Sequence, residues 1–334
     1  MVEGTVSCWG SNRNGELGAG TAAPSTTVAL PVVGITDATQ LSSGSDHSCV
    51  VEMGAVQCWG FNNYGQLGDG TTQRRLSPVM VQWNTRRTPS CGWSRSHMCP
   101  ACRPKRWCWG WNIQGQLGNG SNIDSLTPGP VLGLTNVQSI TSGWYHTCAL
   151  LIGGNVVCWG ENRYGAVGDG TQQHRYEPVG VIGMNSAVAV ESSAATTCAR
   201  DATGATSCWG LNERGGLSIG SAASLSTVPV ALAGDLQLID LDTYIHGCGL
   251  TIGRRLFCWG RNGAGELGDG TTTHRSVPVA ATTLTGVSAV ATGREHTCAS
   301  TGSTVRCWGY NGSGQLGDGS TNNSLSPVAV VGLD

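Results

Sequence analysis

Charge is scarce in this chain: 12% of its 334 residues are Asp, Glu, Lys or Arg, lysine occurs once, and the formal net charge is −2. That leaves no basic stripe for nucleic acid and no polybasic patch for an anionic membrane, so neither is expected as a partner. No apolar run reaches the roughly 18 residues that a membrane-spanning helix needs, and the first residues lack the basic-then-apolar pattern of a signal peptide. No segment keeps the 3.6-residue apolar period of an amphipathic helix. A P-loop, a dinucleotide fingerprint and a Ser-His-Asp signature are also missing, which excludes the usual nucleotide-binding and serine-hydrolase chemistries. Phenylalanine appears only twice.

Glycine (51 residues) and tryptophan (12 residues) are abundant, and most of the tryptophans belong to one recurring phrase. Residues 58–71 read CWGFNNYGQLGDGT, and close copies start at Cys8, Cys108, Cys158, Cys208, Cys258 and Cys307. The starts are 50 residues apart five times and then 49, and a fixed period of this size marks a solenoid or a propeller. Between phrases, short β-branched runs alternate with Gly and Pro punctuation, which predicts strands of about five residues. Four such strands per period make one propeller blade, and seven copies suit a closed ring with no long exposed sheet edge. Within the phrase, Gly60, Gly65, Gly68 and Gly70 supply positive φ or close approach, Leu67 plugs between blades, and Asp69 bonds nearby amides as an Asx-turn. Each copy is therefore expected to build a loop rather than an active site.

The pattern WG-x-N-x-x-G-[QE]-L-G-[DN]-G-[TS], followed by Pro-Val and then G-x-x-H-[TS]-C, resembles the repeat of the regulator of chromosome condensation family, in its bacterial Cys-rich form. The resemblance implies an all-β, seven-bladed β-propeller of four-stranded antiparallel blades filling residues 1–334 as a single domain. In the fourth copy the strands would be VQSIT, HTCAL, VVCWG and an outer PVGVI. Aligned on this unit, the ring lacks about fifteen residues, equivalent to 136–150. One blade is then without its two inner strands, and its outer half is expected to pair Thr5–Gly10 with Pro327–Gly332 beside a cleft, a site where the chain could dimerise.

The 15 cysteines sort by the repeat. Cys49 with Cys58, Cys148 with Cys158, Cys198 with Cys208, Cys248 with Cys258, and Cys298 with Cys307 are spaced to face each other across a hairpin. They are either cross-strand disulfides, which imply an oxidising compartment, or small buried apolar residues. The disulfide reading places the chain outside the cell or in a periplasm, as part of a longer exported protein. Cys8 has no partner in this scheme. Residues 83–106 depart from the repeat while keeping its length: they hold no Val, Ile, Leu, Phe or acid, and six positive charges. A pair of compensating frameshifts accounts for this. The same stretch places Cys91, His97, Cys99 and Cys102 near Cys108, a soft donor set of the kind Zn²⁺ favours.

His47, His97, His146, His246 and His296 recur at one repeat position, two residues before a cysteine. In the family, this G-x-x-H turn joins the innermost strand to the next, so the resemblance implies that these side chains gather near the axis on one face. Each His could simply bond a backbone group of the neighbouring blade. Alternatively the face is a site, because the residues around the histidines vary: Asp46, Trp144, Tyr145, Asp242, Tyr244, Arg294 and Glu295, with Glu191 on the fifth copy's inner strand and Thr196 in place of its His. Two functional classes follow. One is a binding propeller that holds a protein or small-molecule ligand through Asp46, Trp144, Tyr145, Tyr244, Arg294 and Glu295. The other is a zinc-dependent hydrolase of esters or phosphoesters, with the axial histidines as ligands and Asp242 or Glu191 as the catalytic carboxylate. A purely structural module is the third reading. The frameshift account is checked at the DNA level: an alternative frame across residues 83–106 should restore a V-x-x-I-x-S-G-x-x-H-T-C-A-L strand pair, and a frame that does not restore it refutes the account.

Overall fold

A computed structural model describes residues 4–44, 46–83, 107–234, 236–281, 284–302 and 304–333. The aberrant segment from residue 84 onward, with Cys91, His97, Cys99 and Cys102, lies outside them. The described residues form short antiparallel strands and one 3₁₀ turn at Glu213–Gly215. Five sheets have four strands in simple meander order, and two sheets have two strands. Of the seven expected blades, one of them short of its two inner strands, five complete blades stand among the described residues, those of the second, fourth, fifth, sixth and seventh repeats. The first and third phrases sit in two-stranded sheets, Ser7–Ser11 with Ser25–Pro31 and Trp107–Gly110 with Ser125–Pro130.

The fourth repeat shows how a blade is built. Val137–Ser142, His146–Leu151, Val156–Gly160 and Arg175–Gly180 pair in sequence. The outer strand starts three residues before Pro178 rather than at it. Proline is tolerated there because the strand is a sheet edge and its missing N–H costs no ladder bond. The proposed pairing of Thr5–Gly10 with Pro327–Gly332 does not occur. Ser7–Ser11 hairpins onto its own downstream strand, and Ser324–Ala329 closes the seventh blade against Thr304–Gly309. The reason is local: each phrase loop returns the chain directly along the strand that entered it, so a phrase strand pairs within its own repeat. Beside the two-stranded first sheet, Leu41 is 38% exposed, whereas its counterparts Ile140, Val190 and Leu241 are 4%, 4% and 7% exposed.

The phrase loop is organised by its asparagine. Asn262 Nδ2 donates to Asp269 Oδ1 and to the carbonyls of Thr271 and Thr273 at 3.0–3.1 Å, while its Oδ1 accepts the Leu267 amide at 2.9 Å. The same Oδ1 bond to the phrase Leu or Val recurs from Asn12, Asn62, Asn112, Asn162, Asn212 and Asn311. Asp269 in turn accepts from Thr271 and pairs with Arg275 at 2.8 Å. Burial opposes its ionisation, but those bonds hold the carboxyl below its ordinary value.

Neighbouring repeats are fastened by tryptophan. The indole Nε1 of Trp59, Trp109, Trp159, Trp209, Trp259 and Trp308 donates to the carbonyl of Glu16, Gln66, Gln116, Ala166, Gly216 and Glu266, each in the preceding phrase. Trp9 completes the cycle by donating to Gln315 O at 3.0 Å, so seven phrases close on themselves. The next phrase's indole lies against the phrase glycine: a Cβ on Gly68, whose φ is +64°, would lie 2.6 Å from Trp109 Nε1. Only glycine permits both that backbone and that approach.

The five cysteine pairs read from spacing are disulfides: Cys49–Cys58, Cys148–Cys158, Cys198–Cys208, Cys248–Cys258 and Cys298–Cys307, each joining directly opposed residues. Cys8 is a free thiol, and burial pushes it up to about 11. Two outcomes follow. Trp259→Ala should cost about 3 to 5 kcal/mol, Leu267→Ala about 2 to 5 kcal/mol and Asn262→Ala about 3 kcal/mol of unfolding free energy, measured by denaturant titration. Thiol titration of the denatured, unreduced protein should find no more than five of the 15 cysteines free; fifteen free thiols would remove the disulfide scheme.

Candidate functional site

Two of the G-x-x-H histidines, His146 and His246, are directed sideways to a threonine of the next repeat. His146 Nε2 lies 2.8 Å from Thr197 Oγ1 of the next repeat, and His246 Nε2 lies 2.7 Å from Thr297 Oγ1. Each threonine spends its single proton on a phrase carbonyl: Thr197 donates to Ala166 O and Thr297 to Glu266 O. The hydroxyl must therefore accept from the imidazole, which fixes the Nε2–H tautomer. This leaves His246 Nδ1 as a lone pair without a partner. Those phrase carbonyls also take the indole N–H of Trp209 and Trp308, so His, Thr and Trp form one three-part link between blades.

Burial pushes His146 down to about 4 and His246 to about 3, the latter helped by the charges of His296 and Arg261. Desolvation also lowers buried His47 and half-buried His296 to about 4. Among the described residues, no group of three His, Cys, Asp or Glu side chains comes together to hold a metal ion. Asp242 occupies a strut position: its Oδ2 accepts the Thr292 amide of the next blade at 2.7 Å, as Thr141 Oγ1 accepts Ser192 N–H two blades earlier. Glu191 stands at the same register opposite Cys198 and lines a small cavity of about 30 Å³ with Arg200 and Asp240.

The varied residues beside the histidines do meet. Trp144 of the fourth repeat donates its Nε1–H to the Tyr244 hydroxyl of the sixth at 2.7 Å, reaching over the fifth repeat, whose Ala194 carbonyl accepts the Trp144 amide. From Tyr244 an unbroken run of ring contacts passes through Trp144, Tyr145, Trp111 and Tyr64 to Phe61, with centroids 4.8–6.3 Å apart. All but Tyr64 are half-buried, and Tyr64 is exposed. Trp111 and Phe61 were not singled out in the sequence, although both fill the free position between the glycine and the asparagine, WG-x-N. That position holds Ser11, Glu161, Leu211, Arg261 and Tyr310 in the other copies.

Arg261, which lines a cleft together with Tyr244, bridges Glu295 at 2.8 Å and Glu266 at 3.3 Å. Arg294 is exposed and acts on Asp46 across the first repeat. Partial withdrawal from water and the Glu16 carboxylate raise the Asp46 carboxyl, while Arg294 pulls it down. The fifth repeat contributes small residues, Ala194, Ala195 and Thr196, where its neighbours carry Trp-Tyr-His and Tyr-Ile-His. They line a cleft of about 120 Å³ together with Leu211, Gly216 and Tyr244.

Models of the regulator of chromosome condensation repeat match residues 3–51, 53–95, 107–150 and 255–300, and a second model of that repeat matches 137–166. Together they cover more than half of the chain. No curated protein matches by sequence. Among solved structures, human WBSCR16 superposes with a TM-score of 0.87 at 20% identity, over 98% of this chain and 94% of that one. Prp20p of Saccharomyces cerevisiae, in a structure described with its binding to Gsp1p and histones, superposes at 0.86 and 18% identity over 99% and 86% of the two chains. Yeast RCC1 (Prp20) with Kap60 gives 0.88 at 17% identity over 99% and 84%. These likenesses establish the fold.

The buried histidines set a pH dependence. Their folded values lie well below the ordinary 6.5, so between pH 6.5 and 4 the unfolded chain binds more protons than the folded one. Stability is then complete above pH 6.5 and falls as the pH drops toward 4, by on the order of 3 kcal/mol for each such histidine. Denaturant midpoints measured from pH 7 to 4 should fall across this window, and His146→Gln should flatten part of the slope. Midpoints that stay constant down to pH 4 would show that the imidazoles are charged in the fold.

Proposed function

Because the chain belongs to the regulator of chromosome condensation repeat family, we propose that it is an interaction protein whose ring holds a protein ligand on the face built by the G-x-x-H turns. The observation that carries this reading is the aromatic run from Phe61 to Tyr244. It draws its rings from four repeats and stays partly open to solvent, and the fold does not require it, because other copies of the phrase place Ser, Glu, Leu or Arg at the position of Trp111. Large rings with a polar tip dominate the energetic centres of protein interfaces, since they bury much area for little lost side-chain entropy. Protein binding recorded for the structural neighbours supports the same class: Prp20p is described with Gsp1p and histones, and with Kap60.

Five disulfides suit an oxidising compartment, so the partner is sought among exported or cell-surface proteins rather than in chromatin. No helix among the described residues is long and apolar enough to cross a membrane. The small net charge argues against a steered, salt-dependent encounter and for recognition through shape and aromatic contact.

A displayed peptide library selected on the immobilised protein tests the reading. Peptides so obtained should lose at least tenfold in affinity for the Trp111→Ala, Tyr145→Ala double variant. They should keep their affinity for Ile152→Ser, which alters an exposed residue in the hairpin at the far end of the His146 strand. Equal binding to the double variant, or a selection that yields no binder, would contradict the proposal.

A further inference from the structure

The interface between the fifth and sixth repeats lacks the link that fastens its neighbours. Between the fourth and fifth repeats the chain of bonds runs from His146 through Thr197 to Ala166 O, and between the sixth and seventh from His246 through Thr297 to Glu266 O. Between the fifth and sixth, both side chains of the link are gone at once. Thr196 stands where the histidine would be, and Gly247 where the threonine would be. The Thr196 hydroxyl is turned onto its own blade, donating to Leu211 O at 3.1 Å. The Gly216 carbonyl, counterpart of Ala166 O and Glu266 O, accepts from Trp259 Nε1 alone among the described residues, at 3.1 Å.

Further reductions fall on the same place. Ala194 and Ala195 replace the aromatic and aliphatic residues of the flanking turns. Gly216 replaces the Gln or Glu of five other phrases (Glu16, Gln66, Gln116, Glu266, Gln315). At Gly247 the Trp259 indole takes up the room of the missing threonine, 2.6 Å from where a Cβ would stand; the volume lost at 194–196 and 216 is left as the cleft of about 120 Å³. Two residues that line it hold positive φ without being glycine, Ala194 at +41° and Arg214 at +57°, a conformation that persists only where the surroundings impose it and that collects at ligand sites. A cavity of about 150 Å³ accommodates a benzene ring, so an open cleft of this size takes one six-membered ring. Ala194, Ala195, Leu211, Tyr244 and Ile245 form the apolar part of its lining, the charged Glu213, Arg214 and Arg261 line it as well, and Gly216 brings a carbonyl acceptor.

We infer that this cleft binds one tyrosine side chain of the partner protein, its ring against Tyr244 and its hydroxyl donating to Gly216 O. The inference rests on the reading of this face as a protein-binding surface and names the residue it accepts. A ring satisfies the apolar part of the lining, a hydroxyl satisfies the carbonyl, and phenylalanine or leucine would leave that carbonyl desolvated with one bond fewer. Indole is larger than the space.

The test uses N-acetyl-tyrosinamide, N-acetyl-phenylalaninamide, N-acetyl-leucinamide and N-acetyl-tryptophanamide as probes, followed by saturation-transfer NMR on the whole protein. The tyrosine amide should bind in the millimolar range and at least fivefold more tightly than the other three. Two variants refill the cleft with the repeat's own residues. Gly216→Gln is sterically permitted, since a Cβ there meets nothing nearer than Glu213 O at 3.4 Å, and Thr196→His restores the missing imidazole. Each should weaken the tyrosine probe at least tenfold with no fall in Tm. A tyrosine amide that binds no better than the phenylalanine, leucine or tryptophan amide, or refilled variants that bind like the parent, would overturn the inference. Library peptides that depend on Trp111 and Tyr145 yet bind Gly216→Gln undiminished would overturn the cleft while leaving the face intact; peptides indifferent to all these variants would overturn both.

Discussion

An indole N–H given to a carbonyl of the preceding phrase is the bond on which this ring depends. A buried indole donor without an acceptor is costly, and the acceptor is a backbone carbonyl held in place by a loop that must be the same in every copy. Each phrase is therefore donor to one neighbour and acceptor for the other, and the cycle from Trp59 round to Trp9 closes only if every loop keeps its shape. That is the physical reason the chain spells one phrase seven times. The asparagine clamps the loop, the glycines let the next indole lie against it, and the Asp–Arg pair ties it to the outer strand.

Against that uniform frame, departures carry information. The His–Thr–carbonyl link is intact on both sides of the interface between the fifth and sixth repeats and absent within it, and the residues lost there, Thr196 for His and Gly247 for Thr, belong to different blades. A void that the repeat itself could fill lowers stability, and a chain with five disulfides and a closed hydrogen-bond cycle tolerates that cost at one interface. The aromatic run ends at Tyr244, beside the same cleft. Rigid fastening elsewhere and one unfastened interface here fit a scaffold that holds its recognition surface still.

Much of the frame was legible in sequence because its signals are periodic and local. The 50-residue spacing gives the blades, β-branched runs between turn formers give the strands, and cysteines nine or ten residues apart on adjacent strands are opposed across one hairpin. Ring closure was misread, since a period says where a strand lies but not which strand it returns to; the phrase loop decides that locally. The loop's asparagine was overlooked beside its glycines, although it stands in all seven copies. For the histidines the sequence leaves two readings, an axial site or a bond to a backbone group of the neighbouring blade; the direction of Nε2, sideways to a threonine side chain 51 residues on, appears only when two blades are packed. The cleft is hidden for the same reason, being assembled from small residues at 194–196 and 216 that meet Tyr244 only across an interface.

Exchange of the indole protons, followed by NMR on protein labelled at tryptophan, tests the central claim most directly. Of the 12 tryptophans, the seven phrase indoles should be strongly protected, and Trp259, whose acceptor has lost its threonine, should exchange faster than Trp209 and Trp308, whose interfaces keep the full link. Trp259 exchanging as slowly as those two, or phrase indoles exchanging at the rate of exposed ones while the strands remain folded, would contradict a ring fastened by these bonds and opened at one interface.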